Sequence, residues 1–593
     1  MNPPRDTRID SRLDERLASL TGALQQQIKP DGTLWDPQQG KSSPVDHYAQ
    51  ISTALALYLR QPADPLVRRL IEHWLAQTSD QRGHAPFNRF LLLLLRETWH
   101  NHDEARSAID ASLITESLSR CPLARRYPSN NWTLLAQLCR IMEATSKKQR
   151  AQATGELGRM LDRWTMPAGG FVDFPGHAAS PGSATPMAYH HKALFVTTMA
   201  LHYTRSSRLM GHLQRLHEWV LLCWDGQTHV GGFGRSTHSL FGDACLLASL
   251  ILSGCDKQQP SQSTGSQMIT GILKRWSGQC RDDDLLALNP AGQQGWDSYM
   301  YLSVYNAWTA AIVGWARHVA TSDAQPVINT QALEATPAFR QDADAGLLRI
   351  GTDAGLVALL STRGQRPQGF SRDAVELRYA GGVPFHVARR DQLLCPASTR
   401  IKATRLLAQP ALAGWTPVFL IDGILCGLTE YTHVQIEETD AAYRITLAGS
   451  PLPLLRPADS TAWQRLKAAI DWRFLDGALG RRAVLQRRPA RQVQARLVIS
   501  LSRHKPELIH ELTLEPIATG RVRYLNPAGH ALIANALPRT RELESSSRDK
   551  TRTTDAAFHD TTLDSAIPGA SGYCLAEQTI GEEGYRHRLV LQW

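Results

Sequence analysis

The feature that most limits how this chain can fold is a set of apolar stretches of helical period, recurring through the part before residue 336. "HYAQISTALALYLR", "FNRFLLLLLRETW", "NWTLLAQLCRIMEAT", "HHKALFVTTMALHYT", "HSLFGDACLLASLIL" and "YNAWTAAIVGWARHVA" begin near His47, Phe87, Asn131, His190, His238 and Tyr305. Their apolar residues fall at helical spacings, as in a helix that buries one face or more. The starts lie roughly 40–70 residues apart, leaving room for one further helix and two loops per step, which predicts repeated helical hairpins. A hairpin of this kind buries its apolar face only against its neighbours. The repeat therefore predicts an incomplete α/α toroid over residues 1–335.

Several loops that lead into these helices also look alike. "PDGTLWD", "AGGFVDF", "VGGFGRS" and "QQGWDSY" set glycine beside an aromatic residue or a Leu-Trp pair. If every second helix starts at the same rim, these loops gather there, and loops held by a rigid ring are a natural place for a site. After Thr336 the text changes to short β-like runs such as "YRITLAGS", "ARLVISLSRH", "ELIHELTLEP" and "HRLVLQW", divided by Gly, Pro, Asp and Asn. This predicts an antiparallel β-sandwich domain over residues 336–593, with "TSDAQPVINTQALEATPAF" as the linker and "STAWQRLKAAIDWRF" as a short helix between strands. The expected class is α+β and multidomain, in keeping with 593 residues, too many for one ordinary core.

Composition narrows the function. Hydrophobic content of 42% and charged content of 20% describe a globular chain. The most apolar run, "FLLLLLRETW", is too short to span a bilayer. The opening "MNPPRDTRIDSRLDERLASL" lacks the apolar block of a signal peptide, which predicts a cytoplasmic protein, or a periplasmic or secreted one if a leader has been removed. Nine cysteines without CxxC pairs read as buried free thiols. The net charge of +10 suits a polyanion, but no nucleic-acid-binding motif accompanies it. Metal-ligand spacings, P-loops and GxSxG elements are likewise absent from the sequence, so no cofactor is required. A structural divalent metal is compatible with the sequence, which is silent on oligomeric state.

Four polar clusters fall at or near the starts of the expected inner helices. "YPSNNWTLL" carries Asn130, Asn131 and Trp132. "GGFVDF" through "AYHHKAL" carries Asp173, His177, Tyr189, His190 and His191; "GGFGRSTHSLFGD" carries Arg235 and His238; "GWDSYMYLSVYNAW" carries Trp296, Tyr299, Tyr301, Tyr305 and Asn306. N-capping explains one of the two asparagines, but not the pair with the tryptophan. An asparagine, a Tyr-His pair and an arginine at one rim suit β-elimination on a uronic acid sugar. There the proton at C5 is removed and the O4-linked sugar expelled. Asn and Arg would neutralise the carboxylate in the manner of an oxyanion hole, and tyrosine would act as base, acid or both.

These residues also resemble a family. "NNW", then "FVDF" and "AYHHKAL", then "GRSTHSLFG", followed by a β-rich half, resembles the α/α-toroid polysaccharide lyases: the heparinase II/III-like, alginate, hyaluronate, chondroitin and xanthan lyases. The resemblance implies catalytic roles for Asn131, Tyr189, His190 and Arg235, with His386 of "GGVPFHVARR" as a histidine from the β half. It implies an acidic, uronate-containing polysaccharide as substrate. The chain departs from the pattern where Trp132 stands in place of a histidine and "GGFVDFPG" replaces "DGS". Substrate-binding residues would include Asn130, Trp132, His177, His238, Trp296, Tyr299 and Tyr301, with His47, Tyr48 and His84 on the far wall. One alternative is a glycoside hydrolase using a pair such as Asp173 and Asp297. Another is a polyanion-binding protein without catalysis.

Overall fold

The computed structural model describes residues 7–593 except 80–81, 102–106, 125–126, 128, 175–176, 231, 237–239, 259, 261–262, 290–299, 322–337, 368–369, 391, 396–399, 457–461, 476–477, 491–492, 516–521, 528–539, 547–551, 555–560, 563–570 and 573–575. The helical half contains α1 (Thr7–Gln26), α2 (Ala49–Arg60), α3 (Pro65–Leu75), α4 (Ala85–His100), α5 (Ala111–Ser119), α6 (Asn130–Met142), α7 (Lys147–Trp164), α8 (Met187–Tyr203), α9 (Ser207–Val220), α10 (Leu240–Leu252), α11 (Thr264–Gln279) and α12 (Leu302–Thr321). The even-numbered helices pack side by side in chain order, and α12 returns to pack on α2. The odd-numbered helices lie outside, α1 against α12 and each of the others against the helix before it. This is an α/α toroid whose inner ring is closed.

Sequence decides which helix goes inside. α10, "LFGDACLLASLIL", is buried on every face, as is α8 from Met187 to Leu201. A helix apolar all round needs neighbours on every side. α7, "KKQRAQATGELGRMLDRW", buries only Thr154, Leu157, Gly158 and Leu161, a stripe sufficient for the outer layer. Asp64, Asp110, Ser129, Ser146, Ser206 and Ser263 each accept a backbone N–H in the first turn of the helix that follows.

The chain turns back from the outer layer through one recurrent hairpin. Isolated bridges pair Ile28 with Leu34, Thr165 with Phe171, Trp224 with Val230, and Cys280 with Leu286. In three of these hairpins the left-handed position falls on Gly32, Gly169 or Asp284. At Gly169 a Cβ would lie 2.3 Å from the Arg215 carbonyl oxygen, so only glycine fits. Asp284 holds φ 61°, a conformation aspartate tolerates better than most residues. Beyond the bridges, Asp36 accepts from the N–H and hydroxyl of Ser303 on α12, and Asp173 from the N–H and side chain of Asn131 on α6. Each carboxylate ties its hairpin to the positive end of the adjacent inner helix.

The second half contains three larger antiparallel sheets. One five-stranded sheet runs in chain order through Phe339–Asp342, Leu347–Gly351, Leu356–Ser361, Val383–Arg389 and Gln392–Cys395. A seven-stranded sheet centres on Ala495–Ser502 and Glu507–Leu514, and another five-stranded sheet on Val418–Ile421. Helix Ala462–Phe474 interrupts the strands where "STAWQRLKAAIDWRF" predicts one, and a second helix, Ala478–Leu485, follows beyond that segment. The first sheet and its loops dock on the toroid. Trp219 Nε1 donates to Asp342 at 2.7 Å, Arg349 Nε to the Trp224 carbonyl at 2.8 Å, and Gln365 exchanges two hydrogen bonds with Thr185. The expected boundary at 335/336 falls within 322–337, outside the described residues. Among the described residues no helix is long and apolar enough to cross a membrane.

Candidate functional site

The inner helices all begin at one rim, where their first-turn side chains meet. Tyr48 stacks on Phe87 at 4.5 Å; Phe241 stacks on Trp308 at 5.4 Å and meets Tyr305 at 5.6 Å. These rings form a floor across the ring axis. Above it, half-buried His47, His84, Trp132 and Tyr301 form a wall: His84 lies 4.3 Å from His47 and 4.6 Å from Trp132, and Tyr301 meets His47 edge-on at 5.4 Å. Exposed ring edges at this spacing offer apolar faces to a flat ligand such as a sugar. The N–H ends of the inner helices sum to a positive field at the same rim.

Tyr189 stands in the first turn of α8. Its hydroxyl accepts from Arg235 Nη2 at 3.1 Å and lies 3.3 Å from Ser236 Oγ; the guanidinium carbon sits 4.9 Å from the ring centroid. The Arg235 backbone N–H donates to the Tyr379 hydroxyl at 3.2 Å, and the Gly234 N–H to the Arg378 carbonyl. A Cβ on Gly234, at φ 80°, would meet Pro186 Cα at 2.8 Å and the Tyr379 ring at 2.9 Å. The loop carrying Arg235 is thus wedged between the start of α8 and the β half. Tyr189 and Arg235, both expected at the site, are brought together here.

The other expected residues are placed differently. Asn131 is buried, and its amide is fully engaged. Nδ2 donates to Ser129 Oγ and Asp173, and Oδ1 accepts from Lys192 Nζ at 2.9 Å. Asn130 donates to the Val172 carbonyl. Asn131 therefore braces the rim and does not extend an amide into it. His190 is fully buried, accepting from the Phe171 N–H on Nδ1 and donating from Nε2 to the Leu216 carbonyl. Burial pushes it down to about 3. It latches a hairpin and an outer helix to α8, and it is the neutral imidazole those two bonds require. His177 lies in the loop against Phe174 at 4.7 Å. His386 is buried in the sheet that docks on the toroid, stacked on His229 at 4.5 Å and 3.4 Å from Asp225, so it braces the loop that leads to Arg235. Asp173 is buried on Asn131. His238, Trp296, Asp297 and Tyr299 lie outside the described residues.

Three residues absent from the sequence reading belong here. Lys192 is fully buried, 3.7 Å above the Phe87 ring, and burial lowers it to about 7. Ser236 adopts φ 56° beside Tyr189, and Tyr379 arrives from the β half. Lys192 was legible as the fourth residue of "YHHK", one helical turn from Tyr189 on the same face; Tyr379 carries no local signal.

No family model matches the sequence, and no curated protein matches it. Solved structures do. Heparinase III superposes with a TM-score of 0.50 at 9% identity, over 100% of this chain and 86% of that one. Heparan sulfate lyase HepC from Pedobacter heparinus gives 0.45 at 8% identity, over 100% and 84%. The GH76A alpha-1,6-mannanase from Salegentibacter sp. HEL1_6 gives 0.37 at 12% identity, over 51% of this chain and 99% of that one. What this chain shares with heparinase III is the fold, an α/α toroid followed by antiparallel sheets.

Proposed function

We propose that this protein is a polysaccharide lyase that cleaves an acidic, uronate-containing polysaccharide by β-elimination at the rim around Tyr189. The observation that carries the reading is the Tyr189 hydroxyl held 3.1 Å from the Arg235 guanidinium, where the positive ends of the inner helices converge. A uronate carboxylate at the rim meets this field, and Arg235 neutralises it as the C5 proton leaves. Tyr189, acting as the phenolate beside Arg235, takes that proton and the C4–O4 bond breaks. The phenol so formed returns the proton to the departing O4, leaving a C4–C5 double bond and the phenolate ready for the next turn. The half-buried rings of Trp132, His84, His47 and Tyr301 hold the flanking sugars. Asn131, Lys192, His190 and His386 position the loops in this scheme.

A hydrolase would need two carboxylates facing the cleaved bond, and Asp173 is already engaged by Asn131. The test is ultraviolet absorbance of the protein incubated with alginate, glucuronan, hyaluronan, chondroitin, heparosan and xanthan, with Tyr189→Phe alongside. The expected result is a rising double-bond signal on one class, lost in the variant. New reducing ends without that signal would sink the lyase reading in favour of hydrolysis. Retention of a polymer with neither signal would mean a binding protein.

A further inference from the structure

Helix Ala462–Phe474 in the β half turns its apolar stripe to solvent. Trp463, Leu466 and Ile470, three and four residues apart, lie on one face of the helix. They are 69%, 51% and 41% exposed, and Leu475, just past the helix end, is 45% exposed. Four of the seven exposed large hydrophobic side chains among the described residues thus belong to this one segment, a cluster and not the scatter of single apolar residues that any surface carries. A helix of a globular protein ordinarily buries such a stripe and leaves its charges outside. Here the buried residue is Asp471, which accepts the Leu479 N–H at 2.7 Å in the first turn of helix Ala478–Leu485. That bond fixes which side of the first helix faces inward.

The second helix and the chain after it hold this segment to the β half. Val484 is buried in the core, Arg487 Nη2 pairs with Glu430 at 2.6 Å, and the Ala490 N–H donates to the Pro451 carbonyl at 2.8 Å. Among the described residues the second helix is the main packing partner of the first, so the first rides on the second with its stripe outward. Charge is concentrated in the same place. Residues 462–491 hold eight Arg or Lys against two Asp, a net charge of +6 out of the +10 of the whole chain. Lys467, Arg482 and Arg488 are exposed, and Lys467 stands one helical turn from Trp463, at the edge of the apolar stripe.

We propose that helix Ala462–Phe474 is an interfacial anchor by which the protein lies on an anionic lipid surface. Trp463, Leu466 and Ile470 enter between head groups and acyl chains, while Lys467 and the neighbouring arginines draw the segment to the lipid phosphates. An exposed stripe of tryptophan and branched aliphatic residues within a dense positive charge is the composition of helices that lie in a membrane interface. Its 13 residues make a helix of about 20 Å, too short to span a hydrocarbon core of about 30 Å, so it lies on the bilayer. The same chemistry disfavours other occupants. Leu466 and Ile470 offer a sugar neither a flat ring nor a hydrogen bond, and two copies meeting at this face would bring like charge against like.

The test is flotation of the full-length chain with lipid vesicles at low ionic strength, without polysaccharide, so its outcome does not depend on the lyase reading. Vesicles of phosphatidylcholine alone are compared with vesicles of phosphatidylcholine and phosphatidylglycerol in equal parts. Binding to the anionic vesicles should be about tenfold tighter or more. It should weaken about tenfold or more when Leu466→Ser and Ile470→Ser are combined, and likewise when Lys467→Glu and Arg482→Glu are combined. All four side chains are exposed, and circular dichroism checks that both double variants stay folded. Tyr189→Phe should bind vesicles as the unaltered chain does. The proposal is overturned if the unaltered chain stays off the anionic vesicles, or if either folded double variant binds them as tightly as the unaltered chain. Without vesicle binding, retention of alginate that is lost in the serine variant would make the face a glycan site. A dimer in light scattering that dissociates in that variant would make it a contact between copies, and either result overturns the membrane anchor.

Discussion

At the scale of single residues, the Tyr189–Arg235 pair makes the sharpest demands. Tyr189→Phe keeps the ring and removes only the oxygen that would carry the proton. Turnover should fall by about 10²–10⁴ with the fold intact by circular dichroism. Arg235→Lys keeps a charge but loses the planar fork, and kcat/KM should fall about 10²-fold. Lys192 provides a pH signature. Burial places it at about 7 in the folded protein against an ordinary 10.5. Between those values the unfolded chain binds the extra proton, so this group's contribution to stability rises with pH and is lost as pH falls through about 7. Denaturant midpoints at pH 7 and pH 9 should show the native protein gaining about 2 kcal/mol relative to Lys192→Met. Equal pH responses would remove the buried ammonium from the account. The sequence shows that Asn131, His190 and Asp173 stand at a loop–helix junction. It does not show which way their polar atoms point. Asn131 and His190 point inward because a hairpin lies beneath each of them, and hairpin and helix are 19 to 42 residues apart in the chain.

At the scale of elements, the six apolar stretches of the sequence correspond to the inner helices because all-round burial demands an unbroken apolar period. The glycine-aromatic loops were legible in part. Two of them are the hairpins at Ile28–Leu34 and Thr165–Phe171, and "VGGFGRS" begins where the Trp224–Val230 hairpin ends. "QQGWDSY" lies outside the described residues, and the remaining hairpin, Cys280–Leu286, contains no glycine because Asp284 takes the left-handed position. A pattern keyed to glycine passes over it. Asp173 closes one such hairpin onto α6, so Asp173→Ala should leave two donors of Asn131 without their acceptor and cost about 3 kcal/mol in denaturant-measured stability. A change below about 0.5 kcal/mol would mean the hairpin is not held there. The β half was legible as a class of structure. Its sheet order was not, since alternation within a strand says nothing of its neighbours.

At the scale of the molecule, a closed ring of parallel inner helices sums their positive ends at one rim, and the chain as a whole carries +10. Attraction of an acidic polymer to such a rim is screened by salt. Raising ionic strength from about 0.02 M to 0.5 M should lower kcat/KM about tenfold, with less effect on kcat. The central claim is that the bond breaks by elimination, and water decides it. Digestion of the responsive polysaccharide in water labelled with heavy oxygen, followed by mass spectrometry of the fragments, separates the two chemistries. Elimination takes no oxygen from water, so unlabelled fragments, half of each new pair of ends carrying the mass of an unsaturated sugar, are the predicted result. One heavy oxygen in every new reducing end, with no unsaturated product, would contradict it and make the protein a hydrolase on the same ring.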